Sequence, residues 1–398
     1  MYPCCAHCTR VRHVIIQRTA TKDDCQHMKY VGTPQYRHDT PPCTGVLLTN
    51  LGTPDEPTTP ALRRYLAEFL SDPRVIETSK LIWWPVLHGI ILRTRPRRSA
   101  AAYAKVWSDD GSPLLAISRK QTAAVAEQLT ASCGGPVRVE LAMRYGNPSI
   151  ESTLSRLREA NVRRLLVFPL YPQYSAATTA STFDAVSAVL SKWRWLPELR
   201  MINHYHDHPG YIEALVDSVR NFWAEHGRPY RLLFSFHGLP KKYFLAGDPY
   251  YCECQKTARL VAEQLELPDG AWAVSFQSRF GPTEWLQPYT DKLLKEWGAG
   301  GVKNVHVMCP GFSADCLETL EEIRLQNRAF FQEAGGGEFH YIPALNDEPE
   351  HIQALAQIIT EHCRGWPEFA ADWNQEEQDR RLQETLTRAE RLAAGNES

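Results

Sequence analysis

His237 follows the apolar run at residues 231–236 (RLLFSF) and precedes Gly238. At the tip of a strand, a neutral imidazole ring can bind a metal ion or accept a proton near pH 7. Glu318 stands three residues after Asp315 in the segment CPGFSADCLETLEEI, so the two carboxylates can share one face of a helix. Each feature also has an ordinary explanation: a histidine packed under a turn, and a helix-capping box at Ser313 or Asp315.

Taken together, His237 and Glu318 suit a reaction that binds a divalent metal weakly and removes protons from a ring nitrogen. Imidazole is a good ligand for iron, and a carboxylate can bind metal or relay a proton. A structural zinc site would instead use four ligands, commonly with several cysteines. We therefore interpret His237 and Glu318 as a pair that handles metal and protons, and we expect Glu321 and Glu322 to face water.

The elements that must position this pair are strands and helices in alternation. Such alternation predicts parallel sheets flanked by helices, and ligands of these sheets bind beyond the carboxyl ends of the strands. We expect an α/β fold of two similar Rossmann-like domains, each a parallel sheet flanked by helices, with an interdomain cleft. The strand-like runs lie at 45–50, 137–143, 164–169, 231–236, 271–276, 304–308 and 339–342.

Breaks in the pattern divide the chain into four parts. Proline-rich sequence ends a peripheral extension at 1–44, and Pro197 and Pro209 bracket a polar stretch near the boundary between the domains. We read its His204, His206 and His208 as an interdomain turn, with iron delivery as the alternative. The predicted parts are the extension 1–44, a first α/β domain 45–205, a second 206–365 and a charged helical tail 366–398.

Composition excludes several classes of protein. The 44 basic and 46 acidic residues give a net charge of -2 without a basic stripe, which argues against a nucleic-acid partner. The longest apolar segment, 81–92, is too short to span a bilayer and contains Pro85 and His88. Eleven irregularly spaced cysteines and an N-terminus without a secretion-signal pattern favour a cytoplasmic protein with free thiols.

Eight segments occur in an order that is more specific than any single motif. They are LLTNLGTPDEP (47–57), GSPL (111–114), MRYGNPSI (143–150), FPLYPQYSAATTAS (168–181), SFHGLP (235–240), GDPYYCECQKTA (247–258), QSRFGPTEWLQP (277–288) and PGFSADCLETLEEI (310–323).

Together these segments closely resemble the ferrochelatases over residues 45–363. The resemblance implies a lyase that inserts ferrous iron into protoporphyrin IX, releases two protons and forms protohaem in the last step of haem biosynthesis. It implies that His237 and Glu318 are the catalytic and metal-binding pair, the same residues that strand-end reasoning selects. The porphyrin-binding residues that it implies are Arg144, Tyr171, Trp285, Phe312 and Asp315, with core packing or a surface ion pair as ordinary alternatives.

The segment 80–98 resembles the lip that covers the cleft in this family. Its tryptophans, Trp83 and Trp84, lie beside several arginines, as in an interfacial helix, so the lip could also contact a membrane peripherally. The alternative is a helix that faces the core and ends in basic residues.

The resemblance implies ferrous iron as a substrate and no organic cofactor. Some ferrochelatases also hold an iron–sulfur cluster through a C-terminal cysteine group, but only Cys363 lies late in this chain. A [2Fe–2S] cluster on neighbouring loops is the less favoured alternative. It would use Cys252, Cys254, Cys309 and Cys316.

Three other functions stay open at this stage. A sirohydrochlorin cobalt chelatase shares the two-domain plan, but its carboxylate-rich substrate would want a more basic pocket. A non-catalytic porphyrin carrier would not need the His–Glu pair. The sequence does not separate protoporphyrin from coproporphyrin, nor does it define an oligomeric state.

Overall fold

The structure is a computed structural model that describes residues 29–33 and 40–395. The predicted extension 1–44 therefore falls largely outside the described residues. The described part contains two four-stranded parallel sheets, with strand orders β2-β1-β3-β4 and β6-β5-β7-β8. The strands are β1 (Cys43–Thr53), β2 (Val137–Gly146), β3 (Val162–Pro169), β4 (Glu198–Met201), β5 (Arg231–His237), β6 (Trp272–Gln277), β7 (Asn304–Met308) and β8 (Glu338–Tyr341).

The two sheets have the same topology. Counted along the chain within each sheet, the strands lie side by side in the order second, first, third, fourth. The predicted α/β fold of two similar domains is confirmed. Helices connect the strands throughout the described residues. They are α1 (Thr59–Leu70), α2 (Lys80–Val86), α3 (Leu92–Ala104), α4 (Pro113–Ser132), α5 (Ile150–Glu159), α6 (Ser181–Leu190), α7 (Pro209–His226), α8 (Lys241–Leu245), α9 (Tyr250–Gln264), α10 (Thr290–Ala299), α11 (Arg328–Glu333), α12 (Pro349–His362) and α13 (Gln375–Gly395).

Three segments wind as π-helices, whose hydrogen bonds run from residue i to i+5. Leu87–Ile91 joins α2 to α3, Ala176–Ala180 precedes α6, and Glu318–Asn327 precedes α11. π-Helical turns are rare and occur frequently at functional sites. The third segment begins at Glu318, one of the two residues selected from the sequence.

Apolar side chains cover both faces of the central strands. In β1, Val46 and Leu48 pack with Val125 of α4, whereas Leu47 packs on the opposite face with Leu154 of α5. Successive side chains of a strand point to opposite faces, so a strand covered on both sides must be apolar throughout. This explains the continuous run at the start of the first domain.

The two halves are joined by more than the chain between them. Helix α12 lies against α4 of the first half as well as against α7. The amide of Gln121 in α4 donates to the carbonyl oxygens of Ser313 and Asn346, at 2.8 and 2.9 Å. Beyond α12, the fully buried carboxylate of Glu368 pairs with Arg164 of β3. These contacts hold the two halves against each other.

Two buried histidines make the stability of the fold sensitive to acid. His306 is 0% exposed, and neither of its ring nitrogens makes a hydrogen bond. Burial, with the nearby His340 and His226, lowers the pKa of His306 to about 4. Burial likewise lowers the pKa of His351 to about 4, partly opposed by its hydrogen bond to Asn346. Both rings are therefore neutral in the folded protein at pH 5.

The free energy of unfolding is expected to fall as the pH drops from 7 to 5. The unfolded chain binds a proton at each histidine near pH 6.5, while the folded protein does not until about pH 4. Each of the two histidines therefore lowers the free energy of unfolding by about 2 kcal/mol between pH 7 and pH 5. Urea denaturation at both pH values, followed by circular dichroism, measures the loss. In the His306→Phe variant, this loss of unfolding free energy should be smaller by the contribution of one histidine, about 2 kcal/mol. An unchanged loss would contradict the lowered pKa of His306.

Candidate active site

His237 is the last residue of β5, where the strand reaches the cleft. Its Nδ1 lies 2.7 Å from the carbonyl oxygen of Gly238. A carbonyl oxygen only accepts, so this contact places the ring proton on Nδ1 and leaves the lone pair of Nε2 free. The free nitrogen can accept a proton or bind a metal ion.

Gln277 connects the strand that carries His237 to the π-helix that carries Glu318. It is the last residue of β6 and pairs with His237 across the two strands. Its Nε2 donates to the carbonyl oxygen of Glu318 at 3.0 Å, and its Oε1 accepts from Ser235 at 2.6 Å. Both hydrogen-bonding ends of this buried amide are thus used to hold the first π-helical turn against the tip of β5.

Glu322 adds a third ionisable group to the pair. Residues four apart share a face of a π-helix, which places Glu322 on the side of Glu318. Burial raises the pKa of Glu322, and the charge of Glu318 raises it further, although hydrogen bonds from Ser278 and the charge of His237 partly oppose the shift. The carboxyl therefore takes up a proton more readily than an exposed glutamate.

The expectation that Glu321 and Glu322 face water is wrong. Glu321 is 4% exposed and pairs with Lys105, the residue that follows helix α3 in the first half, with 2.8 Å between the charged atoms. Glu322 is half-buried and accepts from the backbone N–H and hydroxyl of Ser278. The acidic turn is buried because it packs between the two halves of the molecule.

Tyrosines of the first half face this acidic group. The hydroxyl of Tyr65 in α1 donates to the carbonyl oxygen of Gly52 at 3.1 Å. Burial raises the pKa of Tyr65 and of Tyr103 in α3, and the charge of Glu318 contributes to both shifts. Glu318 therefore lies where helices of the first half meet the strand ends of the second.

Arg144 in β2 is anchored in a buried polar network. Its guanidinium donates to Asp72 at 2.5 Å and to the hydroxyl of Ser181 at 2.7 Å, and it lies over the ring of Tyr145. Burial alone would raise the pKa of Asp72, but hydrogen bonds from Ser181, Arg74 and Tyr145 and the charge of Arg144 hold it below its usual value. The ordinary alternative of a surface ion pair does not describe this residue.

Tyr171 follows β3 and lies close to the Arg144 network. Burial raises its pKa well above the ordinary value, and the neighbouring Tyr145 contributes to the shift. Its hydroxyl therefore stays protonated at neutral pH. The structure thus brings Tyr171 and Arg144 together on the first-half side of the cleft.

Trp285 lies beside the turn that holds His237. Its ring is so close to Gly238 that a Cβ added there would come within 3.1 Å of it, and its Nε1 donates to the carbonyl oxygen of Phe280 at 2.9 Å. Phe312 is half-buried and packs at the edge of an apolar cluster in the second half of the chain. Trp285 therefore lies next to His237, the first residue of that turn.

Asp315 has a different environment from the other candidates. Its two carboxylate oxygens accept hydrogen bonds from Thr319, Tyr341 and Asn346, at 2.8, 2.7 and 2.9 Å. These contacts fasten the loop before the π-helix to the segment around β8. The carboxylate of Asp315 therefore positions that loop. Of the two carboxylates, Glu318 is the one near the tyrosines of the first half.

The segment 80–98 folds as α2, a π-helical turn and the start of α3. Leu81 is 89% exposed and Trp84 is 63% exposed, whereas Trp83 turns inward and donates to the carbonyl oxygen of Leu70. Arg95 lies over the ring of Phe280 in the second half, 4.2 Å from its centre. The segment thus bridges the two halves. Within 29–33 and 40–395, no helix combines the length and apolarity needed to cross a bilayer.

The described residues contain one group of three or more side chains placed to share a metal ion, and it consists of His204, His206 and Glu253. Burial raises the pKa of three of the four thiols considered for a cluster, while the fourth is exposed. The structure does not gather these four into one ligand set. They are Cys252, Cys254, Cys309 and Cys316.

Strand-end reasoning selects Gln277 in the same way as His237, but it misses Asp72 and Glu253, which also shape the site. Asp72 and Glu253 carry no comparable signal, because they come from a loop and a helix whose positions depend on the packing of distant elements.

Known proteins resemble this chain over the residues that form the two sheets and the site. A family model described as Ferrochelatase matches residues 43–363. A protein named ferrochelatase from Thioalkalivibrio sulfidiphilus is 60% identical over 341 residues, which cover 86% of this chain and 92% of that protein. Another, from Nitrosococcus oceani, is 57% identical with the same coverage. Among solved structures, SirB from Bacillus subtilis with Fe3+ aligns over 82% of this chain and 99% of that chain, at 14% identity and a TM-score of 0.47.

Proposed function

The chain belongs to the ferrochelatase family and is an enzyme that inserts ferrous iron into protoporphyrin to form haem, and we propose that His237 and Glu318 carry out this reaction. The observation that carries the proposal is the link through Gln277, which holds the Glu318 turn against the strand that ends in His237. A free imidazole nitrogen and an adjacent carboxylate meet the two needs of the reaction, which are a weak metal ligand and a proton acceptor.

The reaction exchanges two pyrrole protons for one ferrous ion. In a flat porphyrin these protons lie in the ring plane, so metal entry requires a ring bent until nitrogen lone pairs point at the ion. Selective binding of the bent ring stabilises the transition state. Nε2 of His237 accepts a pyrrole proton, and Glu318 takes part in metal binding and passes protons onward. Glu322 receives them readily because its pKa is raised.

The pocket walls supply the contacts for the macrocycle. Trp285 lies beside Gly238, next to His237, and Tyr171 lies on the first-half side of the cleft with its hydroxyl protonated. The charge of Arg144 acts on Tyr171, and this guanidinium suits a propionate group of the porphyrin. Phe312 contributes apolar surface, and Asp315 acts by fixing the loop that precedes Glu318.

Anaerobic incubation of the purified protein with ferrous iron and protoporphyrin tests the activity. Metalation changes the visible absorbance of the porphyrin, so the rate can be followed directly. Haem formation by the wild-type protein supports the proposal. Porphyrin binding without metalation would contradict it and favour a carrier.

We further propose that the enzyme works in the cytoplasm at the surface of a membrane, to which the lip 80–98 attaches. Leu81, Ile82 and Trp84 are exposed on one segment, and exposed arginines follow it in α3. This combination of apolar contact and positive charge is typical of interfacial helices on anionic lipid. Attachment at the lip places the mouth of the cleft next to the lipid phase, where an apolar porphyrin dissolves.

The double variant Leu81→Ser with Trp84→Ser is expected to bind vesicles of mixed neutral and anionic lipid at least about tenfold more weakly, because each buried apolar side chain contributes roughly 1.5–3 kcal/mol. Sedimentation with vesicles measures the bound fraction. The matched control is Leu196→Ser with Tyr230→Ser, which removes two exposed apolar side chains elsewhere. Equal loss of binding in both variants would contradict a role for the lip.

A further inference from the structure

His204, His206 and Glu253 come together where the chain after β4 meets helix α9. The two histidines follow β4, and Glu253 lies in the first turn of α9. One ligand atom from each residue lies within 4.8 Å of the others. Nδ1 of His204 is 2.7 Å from one oxygen of Glu253, and Nδ1 of His206 is 3.4 Å from the other.

Hydrogen bonding alone accounts for only part of this arrangement. The contact between His204 and Glu253 is an ordinary hydrogen bond. His206, by contrast, is 6% exposed, and its Nδ1 makes no hydrogen bond although an oxygen of Glu253 lies 3.4 Å away. A buried ring nitrogen without a partner is costly, and a ligand that accepts its lone pair removes that cost. The group therefore contains a buried ring nitrogen that is free to bind a cation.

We propose that His204, His206 and Glu253 bind a borderline divalent cation, ferrous iron or zinc, at a site separate from the His237–Glu318 pair. Two imidazoles and one carboxylate form a ligand set that both ions accept. The 3.4 Å between the two ligand atoms of His206 and Glu253 is close to the edge of a tetrahedron around zinc, about 3.3 Å. His204 is 51% exposed, so water completes the coordination and the ion has a path from solvent.

The surroundings fix two of the three ligands before an ion arrives. The carboxylate of Glu253 accepts from the backbone N–H of Tyr174 at 2.6 Å, and the carbonyl oxygen of His206 accepts from Thr257 at 2.8 Å. Asp207 beside the site is neutralised by Lys256. Because Tyr174 belongs to the same loop as Tyr171, an ion here would also stiffen the loop that forms one wall of the cleft.

Zinc binding to the metal-free full chain tests the site by competition with a chromophoric zinc indicator. All variants carry His237→Ala, so that the catalytic pair does not contribute. Adding His204→Ala is expected to remove one equivalent of bound zinc, and adding Glu253→Gln should do the same while leaving an oxygen for Tyr174. The matched control adds His208→Ala instead. His208 pairs with Glu361 and lies outside the proposed site, so this variant should still bind the equivalent of zinc.

Zinc bound elsewhere on the chain does not affect the comparison, because the cysteines are the same in all variants. Circular dichroism melting checks that each variant is folded; the largely exposed His204 side chain can be removed without opening the core. Equal zinc stoichiometry in the His204→Ala and His208→Ala variants would overturn the proposal. Because zinc binds such ligands more tightly than ferrous iron, iron is titrated anaerobically into the zinc-free variants. Loss of one equivalent of bound iron in the His204→Ala variant but not in the His208→Ala variant shows that the site binds iron, and equal iron binding in both assigns the site to zinc.

Discussion

His237→Ala is expected to lower kcat for haem formation by roughly 10²–10⁴-fold, the usual contribution of a positioned acid or base. The variant removes the free Nε2 that accepts the pyrrole proton, but it leaves the aromatic walls of the cleft in place. Porphyrin affinity should therefore change little. Anaerobic metalation measures kcat, and quenching of tryptophan fluorescence by protoporphyrin measures binding.

The matched control is His226→Ala, since His226 is an exposed histidine on α7 that stacks on Phe222, away from the cleft. This control should keep wild-type metalation. If the His237→Ala variant forms haem at the wild-type rate, the proposed role of this ring is wrong. Loss of both metalation and porphyrin binding would instead point to a role of His237 in holding the pocket.

Strand ends were the most informative feature of the sequence for locating the site. Parallel strands carry their carboxyl ends to one edge, so an apolar run that stops at His237 places the ring at the cleft before any tertiary contact is known. Gln277 occupies the equivalent position on the neighbouring strand and is predictable in the same way. Reasoning of this kind needs only the period and direction of the strands.

The helix after Ser313 was harder to predict because its geometry departs from an ordinary α-helix. Helical spacing of 3.6 residues places Asp315 and Glu318 on one face, as a capping box would require. In the structure Asp315 turns toward Tyr341 and Asn346, and the π-helix groups Glu318 with Glu322. No local signal announces this change, since the contacts that turn Asp315 toward Tyr341 and Asn346 join residues more than 25 positions apart.

Burial of the acidic turn also depends on contacts that sequence does not reveal. Glu321 meets Lys105 from the first half, 216 residues earlier, and Glu322 meets Ser278 after β6. A run of glutamates is usually solvated, and only the docking of the two halves makes this one part of the site. The raised pKa of Glu322 follows from that docking rather than from the residue type.

Glu318→Gln is expected to reduce kcat by a factor similar to that for His237→Ala, roughly 10²–10⁴-fold, because the amide keeps the shape of the side chain but can neither hold a proton nor donate charge to the metal. Its second effect concerns pH. Glu318 helps to raise the pKa of Glu322, so the neutral amide should bring that pKa down. Since activity requires ionised Glu322, the rate falls as the pH drops through its pKa, and in the variant this fall should begin at a lower pH.

Single-turnover metalation with enzyme in excess over porphyrin measures the residual rate as a function of pH. Glu322→Gln should lower the rate at every pH and remove the part of the acidic fall that comes from this carboxyl, because the titrating group is gone. Glu333→Gln, an exposed glutamate on α11, is the control and should match the wild type in rate and profile. A fall in Glu318→Gln at the same or higher pH than in wild type would show that Glu318 and Glu322 do not interact, and proton removal would then have to proceed through another group near His237.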